Sequence, residues 1–250
     1  MYEQLNDIVK AISVLPFEMA KLTCTEKTVL VQSRLLADDV IGDVVFKGEL
    51  TKNIKKFKGT FGISNIAMLA GLLNVESFKE PSANIFIKTI SKNNEDVPEE
   101  IVFENDNFGK AQFRLVAEHA INAKQVNAKT DLDWRIIIKN PEVKKVNDLA
   151  QMASIYAGQE KKFSVKTDNN KLKFIIGEEN SANHKANFVF SDNVEGRITA
   201  NHTWPLQAII GVLKLGLKHK TEIKISYEGI FQIEFTTNVG TYTYMFRGAI

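Results

Sequence analysis

His119, His184, His202 and His219 are the side chains best suited to acid–base or metal chemistry near neutral pH. They are scattered, and none has a carboxylate or cysteine at the spacing a metal site requires. Asp38-Asp39 and Glu99-Glu100 are adjacent acidic pairs. Neighbours in a strand point to opposite faces and neighbours on a helix diverge, so neither pair suits a two-metal centre. Both read as solvated loops. Cys24, in Leu22-Thr23-Cys24-Thr25, has no basic neighbour to lower its pKa and reads as an inert thiol. The sequence contains no Walker loop, no dinucleotide-binding glycine fingerprint, no nucleophile elbow and no H-E-x-x-H. No catalytic residue and no metal ligand can be nominated from it.

The lysines are more informative. Lys144 and Lys145 lie on a predicted helix away from Val143, Val146 and Leu149. On another, Gln207, Lys214 and Lys218 lie opposite Ile209, Ile210 and Leu213, with Lys220 just beyond the end. A helix anchored on a sheet shows water a polar face in any case. These two, however, are nearly free of acid, with only Glu142 and Asp148 nearby. The first predicted helix runs the other way, since Glu3 and Asp7 outnumber Lys10. Lys52, Lys55, Lys56 and Lys58 form a further cluster. Lysine arrays attract phosphate without regard to sequence, and no aromatic residues interleave them as single-strand stacking would need. The formal net charge of +2 adds nothing to this argument.

Four amphipathic segments must carry these residues. Leu5, Ile8, Ile12 and Leu15 recur at helical spacing from Glu3 to Val14, and Pro16 ends the run. A second helix is predicted from Ser64, as N-cap, to Asn74. A third has Asn140 as cap, Pro141 at its first helical position and Gly158 past its end. The fourth starts at Thr203-Trp204-Pro205 and runs to Gly216. Between them lie stretches of period-two alternation. In the first half these are residues 28–32, 43–50, 84–90 and 111–116. In the second half they are 134–138, 163–167, 172–176, 187–190, 222–227, 230–236 and 242–246. Turns are expected at Asp168-Asn169-Asn170, Glu228-Gly229 and Asn238-Val239-Gly240.

Each half thus carries a helix, strands, a second helix and more strands. That order predicts a duplicated α+β fold, with units at 1–120 and 134–250 joined by a polar connector at 121–133. The 44% hydrophobic and 25% charged composition suits a globular chain, and no apolar run approaches the ~18 residues of a membrane span. The start lacks a secretory pattern, and one cysteine excludes an internal disulfide, so a cytoplasmic, membrane-free protein is expected.

The stretch Thr203-Trp204-Pro205-Leu206-Gln207, a short helix and then T-E-I-K-I-S-Y-E-G-I-F-Q-I-E-F-T-T-N-V-G-T-Y-T-Y-M-F-R-G-A-I resembles the end of DNA polymerase sliding clamps of the proliferating-cell-nuclear-antigen class. Phe57-Lys58-Gly59-Thr60-Phe61-Gly62-Ile63 before a helix looks like the equivalent strand of a first domain. Asn140-Pro141-Glu142, F-S-V-K-T, D-N-N and K-L-K-F-I-I-G are similar to the clamps of large tailed bacteriophages. The resemblance implies antiparallel sheets outside and helices lining a central hole, in a non-catalytic, cofactor-free, head-to-tail homotrimer. Strand edges near Lys110–Ala117 and His184–Ser191 would pair between neighbours. It implies double-stranded DNA, a replicative DNA polymerase and a clamp loader as partners, with a transcription co-activator role in some phages. Lys10, Lys144, Lys145, Lys214, Lys218 and Lys220 would face DNA. Leu35, Leu36, Val116, Met245, Phe246 and Ile250 would receive partner peptides. Clamps of the class are usually acidic overall, whereas this chain is slightly basic.

Two other readings stay open at this level. One is a β-rich viral structural or assembly protein without DNA binding. The other is a metal-dependent enzyme built around Asp38, Asp39 and His119.

Overall fold

Pro16, directly after the first apolar run, and the Asn and Gly residues at the turns divide the chain into short elements. The computed structural model describes residues 1–35, 43–52, 55, 57–92, 95–121, 132–156, 161–177, 185–199 and 202–250. They form two units: Met1–Arg34, Phe46–Val126 and Asn238–Tyr242 in the first, and Leu35–Val45, Asn127–Thr237 and Thr243–Ile250 in the second.

The first unit opens with α1 (Tyr2–Ser13), followed by β1 (Met19–Cys24), β2 (Val29–Leu35), β3 (Asp43–Leu50) and β4 (Gly59–Ser64), apart from Leu35 and Asp43 to Val45, which belong to the second. Then come α2 (Ile66–Leu73), β5 (Asn84–Lys92), β6 (Glu95–Asn105), β7 (Gly109–Arg114) and β8 (Val116–Ala117). Strands run in the orders β8-β4-β1-β2-β3 and β5-β6-β7. Helix α1 packs beside α2. The apolar stripe seen in the sequence is the buried one: Leu5, Ile8 and Ile12 meet no solvent, as do Leu69 of α2 and Phe61 of β4.

The second unit holds β9 (Trp134–Lys139), α3 (Val143–Tyr156), β10 (Lys162–Asp168), β11 (Lys171–Ile176), β12 (Ala186–Ser191) and β13 (Thr203–Pro205). It continues with α4 (Leu206–Gly216), β14 (Lys220–Ser226), β15 (Ile230–Thr236) and β16 (Gly240–Arg247), of which Gly240 to Tyr242 belong to the first unit. Its strand orders are β16-β15-β14-β9 and β12-β11-β10-β13. Helix α3 packs beside α4, with Val146, Leu149, Ala153, Ile209 and Leu213 fully buried. An aromatic cluster fills the core: Phe163 stacks on Phe174 at 4.8 Å, Phe174 on Phe190 at 4.5 Å, and Phe231 meets Phe163 edge-on at 6.0 Å. The indole N–H of the buried Trp204 donates to the Gly229 carbonyl at 3.1 Å, which removes the cost of burying it. Among the described residues each unit therefore has two α-helices and two runs of paired strands, the duplicated α+β layout expected from the order of elements.

The predicted turns form as expected. Asn169 and Asn170 both take positive φ (50° and 61°) between the paired Asp168 and Lys171, and Gly229 has φ 81°.

Several boundaries differ from the sequence-based expectation. Ser64 ends β4, and the cap of α2 is Asn65, left-handed at φ 48°, whose Oδ1 accepts from Met68 N at 3.2 Å. Asn140 does not cap α3. Its N–H donates to the Thr221 carbonyl at 2.7 Å and its Oδ1 accepts from Thr221 N at 3.2 Å, so it extends the β9–β14 pairing and the helix begins at Val143. Gly158 lies outside the described residues. Thr203–Pro205 is a strand paired with β10, and α4 starts after it. The stretch 111–116 divides at Leu115: its N–H still donates to the Glu99 carbonyl of β6 at 2.8 Å, and from Val116 the chain pairs with Gly62 of β4 as β8.

Glu99-Glu100 is not a solvated loop but part of β6. The pairing steps from Lys88–Glu100 to Thr89–Pro98, leaving Glu99 as the extra residue of a bulge. Both carboxylates reach the Lys88 ammonium, at 3.8 and 3.4 Å. Pro98 sits at the same irregularity, where a missing N–H is tolerated.

Candidate nucleic-acid interface

Helix α4 buries Leu206, Ile209, Ile210, Val212 and Leu213, so its outward positions recur at three- and four-residue steps. Gln207, Lys214 and, just past the helix end, Lys218 are exposed along that line. The two lysines stand at the C-terminal end, where the helix dipole favours a cation. Lys220, first residue of β14, is exposed as well. The Gln207 carboxamide donates to the Ala153 carbonyl of α3 at 3.4 Å, tying the two helices.

On α3 the outward line is Lys144, Asn147, Gln151 and Ser154, uncharged apart from the lysine. Lys145 is placed differently. Its ammonium donates to the Val189 carbonyl and to Asp192 Oδ2, both at 3.2 Å, and lies 6.0 Å from the Phe188 ring centre. It is committed to the strand β12 side of its own unit. Sequence spacing missed this because Asp192 is 47 residues away.

In the first unit Lys10 is exposed on α1. Asp7, which counted against that helix in the sequence, accepts from the Tyr242 hydroxyl at 2.7 Å. Helix α2 has no charged residue, and Met68 on it is half exposed.

Ion pairing divides the lysines. Lys47, Lys79, Lys88, Lys110, Lys145, Lys171, Lys173 and Lys224 each lie within 4.0 Å of a carboxylate. Among the described residues no carboxylate pairs with Lys10, Lys144, Lys214, Lys218 or Lys220. Apart from Lys145, the lysines nominated from helix spacing have no carboxylate partner among the described residues, a property they share with Lys21, Lys27, Lys52, Lys55, Lys58, Lys92, Lys139, Lys161 and Lys162.

The residues nominated for partner peptides have varied surroundings. Leu35, Val116 and Met245 are half-buried, Phe246 is fully buried, and Ile250 is fully exposed. Phe246 is thus a core residue of β16, and Met245 is its outward neighbour, as alternation requires. Leu36 lies outside the described residues.

Asp38, Asp39 and His184 lie outside the described residues, and His119 is exposed in a 3-10 turn. Among the described residues no group of three His, Cys, Asp or Glu side chains could hold a metal ion. Burial pushes the Cys24 thiol up to about 12. Among the described residues no helix is long and apolar enough to cross a membrane.

Solved structures decide the architecture. Proliferating cellular nuclear antigen (PCNA) from Entamoeba histolytica matches with a TM-score of 0.69 and 12% identity, over 100% of this chain and 96% of that one. The chain has the PCNA fold. PCNA from Thermococcus kodakaraensis matches at 0.66 and 11% identity, covering 100% of this chain and 97% of the other. PCNA from A. fulgidus, solved with the C-terminal region of FEN-1 bound, matches at 0.67 and 12%, covering 100% and 96%. No protein-family model matches the sequence, and neither does any curated protein. The likeness is one of PCNA fold without detectable sequence kinship. It spans both units.

Proposed function

We propose that the chain is a sliding clamp: a non-catalytic protein that closes into a head-to-tail homotrimeric ring around duplex DNA and tethers a replicative polymerase. The observation that carries this reading is the full-length likeness to PCNA, over 96–97% of the other chains as well as all of this one. The uncompensated Lys144, Lys214 and Lys218 support it, because ammonium groups along helix faces attract phosphate irrespective of base sequence. Strands β7 and β12 each stand at the edge of a sheet, as strands that pair between neighbours must.

The advantage of a ring is effective concentration. A polymerase tied to an encircling protein need not rebind from solution after each release. Opening the ring requires a separate clamp loader, and the ATP chemistry belongs to that loader. Met245 and Ile250 are the second unit's residues for partner peptides. The similarity to phage clamps favours a phage polymerase as partner, with a transcription co-activator role as a further possibility of the same ring.

A topological assay tests the reading. A linear duplex with both ends blocked should retain the pre-loaded protein through a salt wash, whereas the same duplex with free ends should lose it by sliding. Equal loss from both would contradict encirclement.

A further inference from the structure

The first unit is poor in helix lysines, since α1 offers Lys10 and α2 offers none. Its uncompensated positive charge lies elsewhere. Cys24, at the end of β1, pairs with both Val29 of β2 and Gly59 of β4, so the β1–β2 turn and the residue before Gly59 share one end of the sheet. Lys27 is in that turn, and Lys58 immediately precedes Gly59. Lys52 and Lys55 lie on the segment that leads from β3 into β4. All four are exposed, and among the described residues none is paired with a carboxylate. Glu26 is the acid of these two segments.

The turn is held in shape. Thr25 Oγ1 accepts from Lys27 N at 3.3 Å and Thr28 N at 3.0 Å, and Thr25 N donates to the Thr28 carbonyl at 2.8 Å. Lys27 therefore projects from a fixed backbone. The basic groups are all ammonium, which bind phosphate as point charges without the planar fork that reads a particular acceptor. The aromatic residue among them, Phe57, is buried at 3% exposure, so the patch offers no platform for unpaired bases.

We propose that this end of the first unit's sheet is a second, sequence-independent contact for the phosphate backbone of duplex DNA, separate from the helix faces. The choice of duplex DNA over another polyanion rests on the sliding-clamp reading. The contact would supply for the first unit what α1 and α2 do not.

The test uses the full chain with Lys27, Lys52, Lys55 and Lys58 all changed to Gln. Because the four side chains are exposed, the variant should keep the parent's melting temperature and mass in solution. Affinity for a short blunt duplex is measured by anisotropy over a salt series, beside a Lys144→Gln, Lys214→Gln, Lys218→Gln variant and with polyglutamate as a competing polyanion. Loss of affinity by about threefold or more at low salt, with a log–log salt slope shallower by about 0.9 for each contact removed, is the expected result. An unchanged slope would overturn the proposal. So would loss of polyglutamate binding with duplex binding intact, which would assign the patch to an acidic protein. Failure of the clamp reading shows separately: a monomer whose duplex affinity still depends on these lysines keeps the contact and loses the ring. A trimer indifferent to them keeps the ring and loses the contact.

Discussion

The Tyr242 hydroxyl donates to Asp7 Oδ2 at 2.7 Å, linking the last strand to the first helix across 235 residues of sequence. The Tyr242 ring is fully buried and stacks on Phe46 at 6.1 Å, so the phenol is a rigid donor. The Asp7 carboxylate is thereby held by the fold instead of standing free beside Lys10. A hydrogen bond to a charged acceptor contributes more than one between neutral groups, so Tyr242→Phe should lower stability by about 1.5 kcal/mol. A denaturant titration checks this. An unchanged midpoint would mean that the hydroxyl contributes nothing.

Lys144 and Lys145 are neighbours with opposite employment. Lys145 is fixed by Asp192 and the Val189 carbonyl, whereas Lys144 is exposed. Lys144→Gln should therefore weaken duplex binding and reduce its salt slope by about 0.9, while Lys145→Gln should change that slope much less and lower the melting temperature. A salt series and a thermal melt on each variant separate the two. Equal loss of DNA affinity would place both lysines on the DNA-facing surface.

How much of this was legible beforehand depends on the range of the forces involved. Helices α1 and α4 and strands β14 to β16 follow from local periodicity, because each buries one continuous face. Strand β6 did not read as a strand, since its Glu, Asp and Pro residues are unfavourable in one and only the bulge opposite Lys88 accommodates them. The cap of α2 was placed one residue early because Ser64 and Asn65 are both good caps. The lysine faces of α3 and α4 were visible, but the capture of Lys145 by Asp192 was not. No local pattern encodes a partner 47 residues away.

The β10–β11 hairpin should respond to acid. Lys173, hydrogen-bonded to Asp168 at 2.6 Å, holds that carboxyl below its usual value, with Lys166 and Lys171 adding to the effect. A lowered carboxylate pKa stabilises the fold at neutral pH, and the contribution is lost as pH falls through the folded-state value. The pair is half-buried and still reached by solvent, so the effect is small. Lys173→Met should reduce the melting temperature at neutral pH, and its deficit from the parent should close as acid protonates Asp168. A deficit that is the same at every pH would show that packing of the lysine stem, not its charge, was lost.

Cys24 should be nearly inert. With its thiol at about 12, the thiolate is roughly a thousandfold scarcer than in an ordinary cysteine at the same pH. Iodoacetamide should label the native protein very slowly and the urea-unfolded protein at the normal rate, as followed by mass spectrometry. Rapid native labelling would contradict the burial of the thiol.

The encircling ring is tested most directly by the particle itself. Light scattering coupled to size exclusion should give three copies of the 28.1 kDa chain, and negative-stain images of the same fraction should show a closed ring with a central hole. A stable monomer at 28.1 kDa across the concentration range, with no ring in the images, would contradict the sliding-clamp account.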